Sequence, residues 1–534
     1  MTRFGFHDHL LRRDHTILGA ILLGIEGHLV ELQGRATSVL KRPIPVVEAC
    51  EITGMARTPV REAIQRIAGA FSKLGIGPSP VKILINLAPA TLSKDGSWLD
   101  LPMAVLMLQV AGLLPDLSED HEKRFLLFGE IGIHGELRRV PGSLALAYQA
   151  QPGQAVIVPK GNEKECALIL AKPGHEGCRV HPSSTLDDVL QFFRGNHRLP
   201  NALKERISFE PLIDKPVDFG RIRGQDNAKR AAVICAAGGH NLLMVGPPGE
   251  GKSLIAGAIS GILPPLADHE KVELTRIYSA VGSLEEDGKA VTRRPVRTVH
   301  HSVSTPALIG GGSGTPRPGE ITLAHHGILF LDELPEFSRP TLEALRQPIE
   351  NGTVQVTRVN ASLNFPSRFT LVAAMNPCPC GYADTERCTC DPREIEKYQK
   401  KLSGPLLDRI DLQVSIKPLS TEEKFAPVTD GESPRLRAIV KNARNVQLQR
   451  FQGTTIPNNA AVPGGQIPDY CQFSGPGFEA FKSIVSRAAI STRTTDRLAK
   501  VSRTIADLER SPLIEPIHLE EAAKFVAGGI LQAC

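Results

Sequence analysis

The chain has 534 residues, of which 41% are hydrophobic and 22% charged; this is the composition of a globular protein, and the length predicts about two to four domains. No apolar run approaches the ~18 residues of a membrane span, and charges interrupt the N-terminal stretch where a signal peptide would be apolar, so we expect a cytoplasmic protein without a membrane segment. The formal net charge of +5 permits contact with a polyanion and does not require it.

Apolar patterns in residues 1–200 predict a mixed α/β domain. Val81–Pro89 and Ala155–Pro159 are typical of strands, Leu101–Leu114 is typical of a helix, and a hairpin is expected to turn at His134-Gly135. A polar passage at residues 196–216 is the expected linker. Strands and helices then alternate from about residue 221 to 418, as in a parallel sheet.

The segment Asn241–Leu263 joins an apolar strand to Gly-x-x-x-x-Gly-Lys-Ser and then to a helical pattern. This order predicts a phosphate-binding loop rather than a chance glycine-rich turn, because backbone N–H groups and the helix N-terminus both face the anion. Lys252 is expected to neutralise the β- and γ-phosphates of ATP, and the Ser253 hydroxyl to bind Mg²⁺. The residues expected to contact the nucleotide are Gly246, Pro247, Pro248, Gly249, Glu250, Gly251, Lys252 and Ser253.

A second apolar strand, Ile328–Leu331, ends in two acids, Asp332 and Glu333. Such an ending is also common in ordinary strands. Together with the phosphate loop it predicts that Asp332 anchors the Mg²⁺ shell and that Glu333 orients or deprotonates the attacking water.

Residues Val354–Phe365 predict a hairpin of two strands. Its tip would carry Arg358, Asn360 and Ser362, with Arg368 nearby. Basic and small polar side chains suit a nucleic-acid backbone. An exposed hairpin with ordinary surface charges remains the alternative.

The next predicted strand, Phe369–Met375, ends at Asn376. Its amide could hydrogen-bond the γ-phosphate or the attacking water, or it could form a turn before Pro377. Further on, Arg409 lies between Asp408 and Asp411, where it could form a structural ion pair or reach the ATP of a neighbouring subunit.

Four of the ten cysteines cluster at Cys378, Cys380, Cys388 and Cys390. Four thiolates complete a closed structural zinc site. The spacing is Cys-x-Cys twice, and reduced thiols in a loop remain the alternative. The histidine pairs His300-His301 and His325-His326 lack a carboxylate at helical ligand spacing, so we expect structural or loop roles for them.

The motifs GPPGEGKS, HHSVSTPALIGGGSGTPRPGEITLAHHGILFLDELPEF, LEALRQPIENGTVQVTR, LVAAMNPCPCG and LSGPLLDRIDL together resemble the magnesium-chelatase-like AAA+ ATPases of the ComM/YifB group. The likeness is dense from Phe219 to Pro418. It implies an α/β architecture of three domains: a ribosomal-S5/Lon-protease-like N-terminal domain at 1–200, an AAA+ P-loop parallel-sheet core at 205–420 and a C-terminal helical lid at 425–534. Residues 1–75 match less well, and their role stays open.

The resemblance also implies roles for single residues. Asn376 would be sensor 1, Arg409 the arginine finger and Arg493 sensor 2, with Arg497 in reserve. ATP and Mg²⁺ would be the cofactors, and a homo-oligomeric ring, usually a hexamer, would hold ATP between subunits.

The N-terminal likeness to Lon-type proteolytic domains fails at the catalytic dyad. Asp100 stands where the nucleophilic Ser would be, and Leu144 stands where the Lys base would be, with Ser97 and Ser143 nearby. A Ser-Lys dyad needs both members. We therefore expect a domain without protease activity.

Three functional classes follow from the resemblance. ComM-like proteins are linked to branch migration of DNA during natural transformation, and helicases of the wider clade use a pore hairpin like Val354–Phe365. The alternatives are the ATPase subunit of a metal-insertion chelatase and a protein-remodelling AAA+ chaperone. Chelatase motor subunits generally lack the N-terminal domain and the cysteine loop, which favours the DNA motor, acting on single- or double-stranded DNA.

Overall fold

The computed structural model describes residues 10–11, 13–115, 124–202, 216–284, 290–312, 315–358, 361–383, 385–488 and 490–526. The chain divides into two compact units. One comprises Met1–Glu210 and Asp268–Val291, and the other comprises Pro211–Ala267 and Thr292–Cys534. The three-domain division into 1–200, 205–420 and 425–534 stays a prediction.

The first unit contains a mixed seven-stranded sheet in the order β3-β4-β2-β1-β5-β8-β9. Its strands and those of a small hairpin are β1 (Asp14–Leu23), β2 (Glu26–Ile44), β3 (Cys50–Thr53), β4 (Ser79–Ala88), β5 (Phe125–Leu127), β6 (Glu130–Ile131), β7 (Leu137–Arg138), β8 (Ala155–Pro159) and β9 (Arg179–Ser183). Strand β2 is antiparallel to β1 and β4, and the other neighbours are parallel. The expected strands β4 and β8 and the hairpin β6-β7 are confirmed.

Helices cover this sheet. Their bounds are Thr58–Lys73, Asp100–Val110, Ser143–Ala147, Glu163–Cys166, Leu186–Phe193 and Asp268–Ala280. Every residue of Asp100–Val110 is buried, so this helix forms the centre of the core. The helix Asp268–Ala280 comes from a segment that the sequence assigns to the ATPase region. It belongs to the first unit because Ser279 donates to the Glu165 carboxylate at 2.6 Å and accepts the backbone N–H of Gly142 at 2.8 Å.

The second unit contains a five-stranded sheet in the order β11-β14-β17-β10-β18, and all its pairs are parallel. The strands of this unit are β10 (Leu242–Val245), β11 (Val296–Val299), β12 (Gly310–Gly311), β13 (Arg317–Pro318), β14 (Ile328–Leu331), β15 (Thr353–Arg358), β16 (Ala361–Pro366), β17 (Thr370–Met375) and β18 (Leu412–Ser415). Short hairpins pair β12 with β13 and β15 with β16. A parallel sheet brings the residues that follow β10, β14 and β17 to one edge.

The helices of the second unit flank the sheet and form the C-terminal region. Their bounds are Asp226–Gly238, Lys252–Ile259, Thr305–Ile309, Glu320–Leu323, Arg339–Ala344, Arg346–Asn351, Pro392–Gln399, Gly404–Leu407, Thr421–Phe425, Glu432–Arg450, Ile467–Tyr470, Gly475–Ala488, Thr492–Leu508 and Pro516–Val526. On the helix Thr492–Leu508, Leu498, Val501 and Ile505 are buried, and Leu508 is partly buried. Among the described residues, every helix is too short or too polar to cross a bilayer.

Candidate active site

The phosphate loop follows β10 and leads into the helix Lys252–Ile259. Gly249 and Gly251 have φ angles of 80° and 89°, which side chains other than glycine rarely adopt. A Cβ at either position would meet open space, so these two glycines are required by the backbone conformation. A Cβ at Gly246 would lie 2.4 Å from the Ile416 carbonyl oxygen, so Gly246 is required by close packing.

Lys252 is held at the centre of this loop. Its Nζ donates to the carbonyls of Gly246 at 2.6 Å and Pro247 at 2.8 Å and to the Asn376 Oδ1 at 3.0 Å. Burial lowers the pKa of Lys252, and the nearby carboxylates, Asp332 first among them, oppose that shift. The expected lysine and the expected sensor amide therefore meet, although they are 124 residues apart in the chain.

Ser253 and Asp332 also meet. The Ser253 hydroxyl donates to the Asp332 Oδ2 at 2.9 Å, and the Oδ1 of Asp332 accepts the backbone N–H of Glu333 at 2.9 Å. A hydroxyl beside a carboxylate is the donor set that Mg²⁺ takes at a nucleotide site. The residues present thus fit Mg²⁺ bound with ATP.

A cavity of about 340 Å³ opens over these groups. It is lined by Pro248, Gly249, Gly251, Lys252, Ser253, Leu254, Asp332, Glu333 and Asn376. Expected residues that are distant in sequence thus converge on one space. Glu250 faces elsewhere, because its Oε2 accepts the backbone N–H of Leu419 at 3.3 Å.

Glu333 has a partner that the sequence reasoning missed. Its Oε2 lies 3.1 Å from the Nδ1 of His301, and its own φ of 51° is in the left-handed region. His301 follows β11, which pairs with β14, so the two residues come from neighbouring strand ends. This adjacency in the sheet, and no feature of the local sequence, brings His301 to Glu333. His325 fits the expected structural role, since its Nδ1 accepts the backbone N–H of Arg368 at 3.0 Å.

The three expected arginines lie apart from the residues that line this cavity. Arg409 pairs with Glu350 and donates to the Pro405 carbonyl at 2.6 Å, and it holds the pKa of Glu350 below its usual range. Arg493 is 60% exposed and lies 3.8 Å from Asp408. Within the described part of the chain, neither touches the cavity lined by Lys252.

Arg497, the reserve candidate for sensor 2, is held by backbone carbonyls. Its Nη1 donates to the carbonyls of Ile410 at 2.6 Å and Leu407 at 3.3 Å, and burial lowers its pKa. These bonds engage the Arg497 guanidinium, whereas the side chain of Arg493 is exposed.

The four clustered cysteines come together. The Sγ of Cys378 lies 3.3 Å from that of Cys380 and 3.9 Å from that of Cys388, and Cys380 and Cys388 are 3.7 Å apart. Cys390 accepts the backbone N–H of Cys380 at 3.4 Å. All four Sγ atoms lie within 4.8 Å of one another. Backbone N–H groups, that of Thr389 first, lower the pKa of Cys380 to about 6, whereas burial and the neighbouring thiols raise the pKa of Cys390 to about 12.

The positions that correspond to the Lon-type dyad are closed. Asp100 is 1% exposed, and its two oxygens accept from the Arg66 guanidinium at 2.7 and 2.9 Å. Leu144 is fully buried. The Ser97 hydroxyl donates to Glu130 at 2.5 Å. Neither expected position offers a nucleophile or a lysine base.

The expected hairpin is present as β15 and β16. Val354, Val356 and Phe365 are buried, whereas Thr357 and Arg358 are exposed. Ser362 Oγ lies 2.9 Å from Thr357 Oγ1, so the exposed face is polar. Asn360 lies outside the described residues.

Three family models match the chain. The model described as magnesium chelatase, subunit ChlI, matches residues 218–424. The model for subunit ChlI of Mg-chelatase matches residues 45–162, and the one for the C-terminal part of that subunit matches residues 431–525. The matched ranges include the phosphate loop, the strand-end acids, Asn376, the cysteine cluster and the C-terminal helices.

The chain is also similar to individual proteins. It is 39% identical over 481 residues to "Uncharacterized protein YifB" of Escherichia coli, covering 89% of this chain and 91% of that protein. It is 36% identical over 514 residues to "Competence protein ComM" of Haemophilus influenzae, covering 93% and 97%. It is 25% identical over 235 residues to "Lon protease 2" of Bacillus subtilis, covering 39% and 42%.

These matches agree with the architecture. The parallel sheet carries the phosphate loop, the first unit is mixed α/β, and the C-terminal region is helical, which confirms the expected fold class. Because the two similarities at 36% and 39% identity cover most of each chain, they show common descent over nearly the whole length. The chain therefore belongs to the magnesium-chelatase-like ComM/YifB family of AAA+-type ATPases.

Proposed function

We propose that this ATPase is a ring motor that acts on DNA, with branch migration or helicase activity in recombination during natural transformation. The hydrolytic part of the proposal is carried by one observation: Lys252, Ser253, Asp332, Glu333 and Asn376 line a single cavity. Membership of the family implies the use of ATP and Mg²⁺.

Each of these residues has a proposed step. The loop N–H groups and Lys252 bind the phosphates, and Ser253 and Asp332 hold Mg²⁺, which when bound neutralises charge on the phosphate oxygens. Glu333 orients the attacking water and accepts its proton, and His301 positions the Glu333 carboxylate. Asn376 donates from its amide to the γ-phosphate.

The proposal includes a homo-oligomeric ring, in the form of a hexamer. Arg409 and Arg493 contact Glu350 and Asp408 rather than the cavity of their own chain. In a ring each would serve the ATP bound by the adjacent subunit, Arg409 as the arginine finger and Arg493 as sensor 2. The trans arrangement requires assembled rings for turnover.

DNA is proposed as the track for two reasons. The likeness to "Competence protein ComM" extends over 93% of this chain, and the hairpin β15-β16 presents Arg358 beside polar side chains. Such a surface suits phosphates and not base edges, so affinity is expected to fall steeply with salt and to vary little with base sequence.

DNA-stimulated ATP turnover tests this proposal. The double variant Arg358→Ala, Asn360→Ala should lose DNA stimulation while basal turnover stays within about twofold, because the ATP cavity is untouched. Arg198→Ala, which removes one exposed charge from the first unit, is the matched control. If assembled rings neither bind DNA at low salt nor respond to it, the motor proposal fails.

In that case a chelatase ATPase subunit or a protein-remodelling chaperone becomes the better proposal. The family model for subunit ChlI matches residues 45–162, so the N-terminal region does not by itself separate a chelatase from a DNA motor. The DNA motor and its two alternatives differ in what stimulates ATP turnover. DNA would stimulate the motor, and a protein partner would stimulate the chelatase subunit or the chaperone.

We also propose that Cys378, Cys380, Cys388 and Cys390 bind zinc. Zinc with four thiolates at about 2.3 Å in a tetrahedron requires sulfur–sulfur distances of about 3.8 Å. Three of the Sγ pairs are 3.3–3.9 Å apart, and all four Sγ atoms lie within 4.8 Å of one another. Elemental analysis of protein purified without added metal should find about one Zn²⁺ per chain. A content near zero in folded, active protein would reject the site.

A further inference from the structure

The cysteine knuckle, defined as residues 378–383 and 385–390, lies against the phosphate loop. Gly381 has a φ of 85°, and a Cβ added there would lie 2.7 Å from the Cδ of Pro248 and 3.8 Å from the Cγ of Asn376. Pro248 and Asn376 both line the cavity. The turn of the knuckle therefore touches two walls of the nucleotide site, with no room for a side chain between.

The chain on each side of the knuckle holds the same wall. The helix Pro392–Gln399 follows the last cysteine. Burial raises the pKa of its Tyr398 to about 12, and the nearby backbone of Asn376 opposes that shift. The amide of Gln399 donates to the Pro377 carbonyl at 3.3 Å. Asn376 in turn accepts from Lys252. The chain thus enters and leaves the knuckle beside Asn376, whose side chain contacts Lys252.

The described residues of the knuckle bury little apolar surface. Cys378 and Ala383 are its buried apolar residues among those described, whereas Thr385, Glu386 and Arg387 are exposed. Short-range backbone bonds such as Gly381 to the Cys378 carbonyl, at 3.0 Å, form its turns. A segment with so little apolar surface to bury needs a cross-link to hold one conformation.

We propose that metal bound by the four cysteines braces the phosphate loop through Gly381 and Asn376, so that metal occupancy sets the affinity for ATP. The inference rests on the proposed ATP site and on the proposed zinc site. It adds a dependence that neither contains, namely that removing a metal outside the cavity weakens nucleotide binding inside it.

The first test compares zinc-loaded with stripped full-length protein. Zinc is removed with a phenanthroline chelator, Mg²⁺ is supplied again, and the Kd of a fluorescent ATP analogue is measured. We expect the stripped protein to bind about tenfold more weakly, equivalent to about 1.4 kcal/mol, and Zn²⁺ to restore binding. The double variant Cys388→Ser, Cys390→Ser should bind weakly whether or not Zn²⁺ is added. Cys178→Ser, whose hydroxyl can keep the bond to the Gln151 carbonyl, is the control and should match wild type.

A second variant keeps the metal and breaks the contact. Gly381→Ala retains all four thiols but forces a Cβ against Pro248, so it should hold zinc and still bind the analogue about tenfold more weakly. Gly453→Ala is the matched control, because Gly453 has a similar φ of 81° and a Cβ there would meet open space. This pair keeps the proposal testable if the cysteine variant fails to fold.

The outcomes separate the proposals. Equal, tight binding by zinc-loaded and stripped protein overturns the brace, as does wild-type affinity in zinc-containing Gly381→Ala. Absence of zinc together with unchanged binding in the cysteine variant also overturns it. A zinc-loaded wild type that binds no nucleotide would instead contradict the proposed ATP site.

Discussion

Charged residues at two regions of this protein have opposite surroundings. In the second unit, Lys252, Asp332 and Glu333 line an open cavity of about 340 Å³. In the first unit, Asp100 is buried against Arg66 with two hydrogen bonds, and Leu144 is fully buried. A carboxylate occurs in each place, but only the first faces space that a ligand can enter.

The difference shows how a working site can be told from a structural one. Removing either member of a buried carboxylate–arginine pair destabilises the fold, because the remaining charge is left buried and unpaired. Groups around a cavity keep oxygen and nitrogen atoms directed at a ligand. The comparison therefore predicts that changes at the cavity alter chemistry and that changes at Asp100 alter stability.

The largest effect is expected at the cavity. Lys252→Ala should abolish measurable ATP binding, because the loop loses its one phosphate-facing cation. Glu333→Gln should bind ATP normally and hydrolyse it about 10³-fold more slowly, because the loop stays intact while the base is lost. Nucleotide titration and phosphate release measure the two quantities. Tight ATP binding by Lys252→Ala at wild-type affinity would refute the assignment.

Arg409→Ala should lower turnover by a comparable factor of about 10³. The decrease in turnover would occur in the neighbouring subunit. The ATP cavity of one chain would then lack an arginine that only the adjacent chain supplies. Mixing Arg409→Ala with Lys252→Ala should restore part of the turnover at interfaces where each supplies the half that the other lacks. Demonstrably mixed rings with no recovery would count against a role in trans.

At Asp100 in the first unit, the expected effect is on the free energy of unfolding. Asp100→Ala leaves Arg66 unpaired and should lower the free energy of unfolding by about 3 kcal/mol, measured by urea denaturation. Asp95→Ala is the control, because Asp95 and Arg57 are 3.9 Å apart and each about one-third exposed, a pair worth less than about 1 kcal/mol. A wild-type peptidase activity that Asp100→Ala removes would break the comparison.

The smallest effect is expected at His301. His301→Ala removes the contact with Glu333 and should slow ATP turnover about fivefold, with nucleotide affinity unchanged. A fivefold change corresponds to the free energy of an exposed ion pair, about 1 kcal/mol. His300→Ala is the control, since His300 contacts Ser302 at 2.9 Å rather than the acid. An equal decrease in both variants would mean that the histidine pair merely supports the loop.

Local sequence was sufficient for the features that depend on neighbouring residues. Gly249, Gly251, Lys252 and Ser253 predict the phosphate loop because tight-turn glycines and a helix start are read from adjacent positions. Strands β4, β8, β10 and β17 follow from short apolar runs in the same way. The hairpin β15-β16, which begins at Thr353, was likewise predictable from the local sequence.

Strand order and packing determine which distant residues meet. The pairing of β11 with β14 joins His301 to Glu333, the fold of the first unit joins Arg66 to Asp100, and the turn at Gly381 packs on Pro248. Each contact is specified by strand order and packing across tens or hundreds of residues, and no local pattern encodes such a separation. Local sequence therefore specifies the chemical groups, and the order of the strands in the parallel sheet brings a few of them to one cavity.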